Sequence, residues 1–123
     1  MSYKQSNSQI LCDTIVEGMQ ENKAQDIVIL DLRHITAAVA DFFIICSGES
    51  STQVDGIASS VVRHTRKEIQ DRPWHTEGKG TSEWVLIDYV SVVAHVFYKT
   101  ARDFYDLEDL WADAKRINVP NLD

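Results

Sequence analysis

Apolar residues recur along this chain in two rhythms, one of three and four residues and one of two, and together they divide it into helices and strands. Ile10, Leu11, Ile15, Val16 and Met19 fall at helical spacings, so residues 9–23 are expected to form a helix with Ser8 at its N-cap. Ile27-Val28-Ile29-Leu30-Asp31-Leu32 is a short run rich in β-branched side chains, the pattern of a buried strand. Residues 42–47 form a second such run, stopped by Gly48. The clearest helix follows. Ser50 and Gln53 stand in a capping-box relation, and Val54, Ile57, Ala58, Val61, Val62, Thr65 and Ile69 repeat at threes and fours until Pro73 ends the segment. Beyond a turn-rich stretch at residues 77–82, strands are expected at 83–88 and 92–98, with Tyr89-Val90-Ser91 as the hairpin turn. Alternation puts Trp84, Leu86 and Asp88 on one face and Val85 and Ile87 on the other, and it groups His95 with Val93 and Phe97.

Thr100 with Asp103 resembles a second capping box, opening a last helix that carries Phe104, Leu107 and Trp111 at i, i+3 and i+7. The tail, residues 113–123, is expected to fray. The predicted order is α-β-β-α-β-β-α, with room for a further short strand near His75. That is an α/β (α+β) class: a mixed sheet of about five strands flanked by helices. No repeat or composition break divides the chain, so residues 1–123 are read as a single domain.

Composition changes this picture little. The 123 residues are 44% hydrophobic and 25% charged, ordinary values for a globular domain. No apolar run approaches a membrane span, and the polar N-terminus lacks the features of a signal peptide, so a soluble, cytoplasmic protein is expected. Charge says more. Twelve Lys and Arg against nineteen Asp and Glu give 12 − 19 = −7, which disfavours DNA or other naked nucleic acid and favours a basic protein partner. The basic stretch Arg63-His64-Thr65-Arg66-Lys67 reads as the solvated face of a helix. Cys12 and Cys46 lie far apart with no metal or redox spacing, as in a reducing compartment.

Candidate chemistry is sparse. A strand ending at Ser47-Gly48 and feeding a capped helix could hold a phosphate, yet no Gly-Lys-Ser/Thr follows. The spacing Asp106-Leu107-Glu108 would put its two acids on different sides of a helix. His34, His64, His75 and His95 are isolated, and His95, in an apolar strand, reads as a structural histidine. Cys46 with His95 is the one conceivable nucleophile pair. Neither a catalytic set, a metal site nor a cofactor site is therefore expected. The aromatic residues are more suggestive: Trp84 shares a strand face with Asp88. Tyr105 and Trp111 lie in a segment, residues 103–113, that holds five acids and no base. Trp111 reads as a core anchor; Trp84 and Tyr105 fit either a core or an interface role.

These segments together resemble the ribosomal silencing factor family, also called Iojap-related proteins. The resemblance runs through Asp41-Phe42-Phe43-Ile44-Ile45-Cys46-Ser47-Gly48-Glu49-Ser50-Ser51, Thr76-Glu77-Gly78, Trp84-Val85-Leu86-Ile87-Asp88, Val92-Val93-Ala94-His95-Val96-Phe97 and Arg102-Asp103-Phe104-Tyr105-Asp106-Leu107-Glu108-Asp109-Leu110-Trp111. Ser91 departs from it, since many members carry an acid there. The resemblance implies a nucleotidyltransferase-like fold without catalytic equipment and a homodimer. It also implies a protein that binds the large ribosomal subunit through its protein fourteen, blocks joining of the small subunit and represses translation. On that expectation Trp84 and Tyr105 are the contact anchors, with Glu77, Asp88 and Arg102 as polar partners. The alternatives are a nucleotide-binding or nucleotidyltransferase-like enzyme using the Ser47-Gly48 turn, and a dimerisation module of some other complex.

Overall fold

The computed structural model describes residues 7–78 and 83–122. Helix α1 (Asn7–Glu21) leads to an antiparallel pair, β1 (Gln25–Asp31) and β2 (Phe42–Gly48). Helix α2 (Ser51–Ile69) then crosses to β3 (His75–Glu77), β4 (Trp84–Asp88) and β5 (Val92–Tyr98). The chain closes with short helices α3 (Lys99–Tyr105) and α4 (Leu107–Leu110) and a last strand, β6 (Lys115–Asn118). The six strands lie in the order β3-β4-β5-β2-β1-β6. Only β2 and β5, at the centre, run parallel; every other neighbouring pair is antiparallel. The result is an α+β fold built on one mixed sheet.

The amphipathic faces of α1 and α2 cover one side of that sheet. Ile15 and Met19 of α1 and Val54, Ile57 and Val61 of α2 pack on Phe42, Ile44, Cys46, Val85, Ile87, Ala94 and Val96. The two helices approach closely at Gly18, where an added Cβ would stand 2.9 Å from the Cα of Val61, and the Ser60 hydroxyl donates to the Gly18 carbonyl at 2.7 Å. His64 projects from α2 between two carboxylates of α1, Glu17 and Glu21, each 3.1 Å from a ring nitrogen. Thr65 is buried and shares a 2.8 Å hydrogen bond with the Tyr89 hydroxyl. The basic stretch is thus solvated only at Arg63, Arg66 and Lys67.

The start of α2 follows the sequence pattern with one shift. Ser50 Oγ accepts the Gln53 amide at 3.1 Å, while Gln53 Oε1 reaches back to the Glu49 amide, one residue before the cap. Its Nε2 also donates to the carbonyls of Asn22 and Lys23, tying α2 to the end of α1. The helix ends at Ile69 because Gln70 turns left-handed, φ 52°, and its N–H caps the Arg66 carbonyl.

Three expectations are corrected towards the C-terminus. The Thr100–Asp103 box does not form: α3 starts at Lys99 behind Tyr98, which makes no side-chain cap. The expected single last helix breaks at Asp106, whose left-handed φ of 45° separates α3 from α4 and leaves Phe104 81% exposed while Leu107 turns inward. The tail does not fray at residues 115–118. Its exposed, polar strand β6 pairs along β1, held by ladder bonds that hydropathy does not report. Asn121 extends the attachment through a 2.8 Å bond from the Asp26 amide. The sheet therefore has six strands rather than about five. Of the turn expected at residues 77–82, residues 79–82 lie outside the described residues.

A candidate docking surface on the second face of the sheet

Period-two alternation delivers a distinct set of side chains to the face away from α1 and α2. The register aligns Trp84 with Phe97 and Ser47; Leu86 with His95 and Ile45; and Asp88 with Val93, Phe43 and Leu30. Helices α3 and α4 cover the part over β1 and β2, where Ala101 and Leu107 pack on Val28, Leu30, Ile45 and Phe97. Nearer β4 the face stays partly open, and Trp84, Leu86 and Asp88 are all half-buried.

Trp84 anchors an aromatic cluster. Its ring lies over Phe97 at 4.9 Å, nearly parallel, and against Tyr105 at 4.8 Å. Its indole N–H donates to His95 Nδ1 at 3.1 Å. Tyr105, 46% exposed, continues the surface to Phe104 at 5.2 Å, edge-on. Trp111 lies edge-on to Phe43 at 5.7 Å, in the anchoring role read from the sequence. Phe104 and the 74%-exposed Leu110 are the surface residues that sequence reasoning missed. Both sit at helical spacings from buried neighbours, so periodicity assigned Phe104 to the core. Asp103, Asp106 and Asp109 are exposed in the same segment, so exposed acids and exposed apolar side chains alternate along it. A segment of that composition suits a partner that offers both apolar and basic groups.

The remaining expected site residues separate. Glu77 pairs with Leu86 across β3 and β4 and so shares the face; its exposed carboxylate meets His75 Nε2 at 2.7 Å. Asp88 also shares the face, and its Oδ1 accepts the Val90 amide at 2.7 Å, fixing a turn in which Val90 is left-handed at φ 75°. Arg102 departs from the expectation of a partner contact, because it is buried. Its guanidinium donates to Glu108 Oε2 at 2.8 Å, Ser47 Oγ at 2.8 Å and the Asp26 carbonyl at 2.7 Å. Arg102 thus fastens the α3–α4 corner to the ends of β1 and β2, and Glu108 is the one acid of its cluster turned inward.

The groups needed for the alternative chemistry are not brought together. Cys46 faces α1 and α2 while His95 lies on the opposite face, and burial pushes the Cys46 thiol up to about 12. The Gln53 amide at the start of α2 is taken by Ser50. A 520 Å³ cavity does open beside Ser47, lined by Lys99, Arg102 and Arg116 but also by Asp26 and Asp103, so its charges are mixed. Among the described residues, no three His, Cys, Asp or Glu side chains cluster as metal ligands, and no helix is long and apolar enough to cross a membrane. Ser91 contributes backbone: its carbonyl accepts the Asp41 amide at 2.7 Å.

Fold and face together define a small α+β protein with a partly exposed aromatic cluster on one side of its sheet. Comparison with known proteins specifies the group. The chain matches the family described as ribosomal silencing factor during starvation over residues 4–123 and belongs to that family. It is 37% identical over 117 residues to the ribosomal silencing factor RsfS of Halalkalibacterium halodurans, covering 94% of this chain and 97% of that one. It is likewise 37% identical over 108 residues to RsfS of Bacillus subtilis, covering 88% and 90%. A crystal structure of a Chromobacterium violaceum protein superposes with a TM-score of 0.80 at 33% identity, covering 87% of this chain and 88% of that one.

Proposed function

We propose that this chain silences ribosomes by occlusion, docking the Trp84–Tyr105–Phe104 surface on a basic protein of the large subunit, in the cytoplasm. The family resemblance supplies ribosomal protein fourteen as that protein and implies a homodimer. The observation that carries the reading is an exposed aromatic surface, continuous from a half-buried tryptophan and carried by an acidic segment in a protein of net charge −7. Bound there, the factor would keep the small subunit from joining without altering a covalent bond. Glu77 and Asp88 flank the anchors as polar partners. Arg102 acts from inside, holding the corner that presents Tyr105.

Anchors of this kind dominate interfaces, and truncating one commonly weakens binding by about 2 kcal/mol or more. The test is a sucrose gradient of purified subunits with and without the protein, together with pelleting of Trp84→Ala and Tyr105→Ala on large subunits. Fewer joined ribosomes with the parent protein, and loss of pelleting by both variants while they remain folded, is the expected result. Undiminished subunit joining at saturating protein would refute occlusion.

A further inference from the structure

His95 sits on the face just described, flanked in register by Leu86 and Ile45, and is only 3% exposed. Its ring lies edge-on to Phe43 at 4.9 Å. An indole N–H can only donate, so the bond from Trp84 requires His95 Nδ1 to be an unprotonated acceptor and places the ring's proton on Nε2. Nε2 is buried and finds no partner among the described residues. A buried donor left unpaired is destabilising, whereas an aliphatic side chain between Leu86 and Ile45 would leave none. The imidazole's polar atoms are therefore a liability to the fold, and the polar return they offer is the bond to Trp84.

We propose that His95 is a positioning residue for docking: it fixes the indole of Trp84 in the orientation that the partner meets. This rests on the docking surface proposed above and adds the device that sets its geometry. Held at one edge by His95 and stacked on Phe97, the indole meets Tyr105 as part of a prearranged surface. Without the acceptor, the half-buried indole N–H turns towards water, and the partner must reorder it on binding.

Two substitutions separate this role from plain support of the sheet. His95→Leu removes the acceptor but also the unpaired donor. His95→Asn can place an amide oxygen where Nδ1 stood while burying extra polar atoms. The expected result is that stability and affinity move in opposite directions. His95→Leu should be at least as stable as the parent yet bind large subunits roughly five-fold more weakly, the factor that one ordinary hydrogen bond represents. His95→Asn should be less stable yet bind within about two-fold of the parent, the acceptor being kept. The Trp84 indole N–H resonance, assigned by its loss in Trp84→Phe, should exchange faster with water in His95→Leu alone. In a Trp84→Phe background, His95→Leu should cost no further affinity.

Affinity that follows stability across the two His95 variants would overturn the proposal, as would an indole resonance that His95→Leu leaves untouched. Loss of binding by Trp84→Ala but not by His95→Leu overturns it alone. Unchanged binding by Trp84→Ala overturns the docking surface and this proposal with it.

Discussion

Arg102 is the position at which structure and stability can be compared most directly. Its side chain and that of Glu108 are 10% and 13% exposed, and the pair is reinforced by bonds to Ser47 and the Asp26 carbonyl. Arg102→Met would leave the Glu108 carboxylate buried and two further acceptors without their donor. Breaking a buried pair from one side costs about 3–5 kcal/mol. Arg116, half exposed and 3.9 Å from the same carboxylate, offsets part of that, so the lower end, about 3 kcal/mol, is expected. In a domain of this size that corresponds to a fall of roughly 10 °C in Tm. Removing both charges with Arg102→Met/Glu108→Leu should recover part of the loss, leaving about 1–2 kcal/mol for the acceptors at Ser47 and Asp26. Urea titrations of the parent, both single variants and the double variant give the coupling energy. A loss below about 1 kcal/mol in Arg102→Met, or a double variant less stable than either single one, would refute the assignment of Arg102 as an internal fastener.

Other expectations follow from the same geometry. Gly18→Ala should destabilise by about 1–3 kcal/mol, because the new methyl group meets the backbone of Val61; an unchanged urea midpoint would contradict so close a helix contact. Burial pushes His95 down from 6.5 to about 3, so the folded state refuses a proton that the unfolded state accepts. Stability should therefore fall as pH drops from about 6.5 towards 3, and His95→Leu should flatten that part of the profile. Asp31 lies below its usual 3.8, chiefly through the side-chain bond from Arg33. Its contribution is present above that value and is lost as pH falls further, so Asp31→Asn should lower the stability plateau above it and flatten the acid limb. Cys12 and Cys46, both buried and raised to about 12, should resist iodoacetamide at pH 8 in the native protein and react once urea unfolds it.

Much of the architecture was legible because it rests on patterns that single side chains carry. The apolar repeat from Val54 to Ile69 and the Ser50–Gln53 pair defined α2 within a residue or two. Alternation from Trp84 to Asp88 assigned both faces of β4, which is how Trp84 could be placed among the surface candidates. What escaped depends on groups distant in sequence. The left-handed break at Asp106 coincides with a corner that Arg102 ties to strand ends more than fifty residues away, and a helical repeat cannot announce it. Strand β6 has no buried face, so no periodicity marks it; its stabilisation comes from backbone pairing with β1. Arg102 looked like a surface cation because charge in a sequence does not reveal an inward partner. Phe104 looked internal because it shares a period with Leu107, which is buried.

The pairing of β6 with β1 also orders the events of biosynthesis. The first described strand to leave the ribosome is completed on its outer edge by the last, so that edge waits, its N–H and C=O groups unmatched, until β6 has been made. A protein of a family named for silencing ribosomes thus closes its own sheet only after its five other described strands have been made.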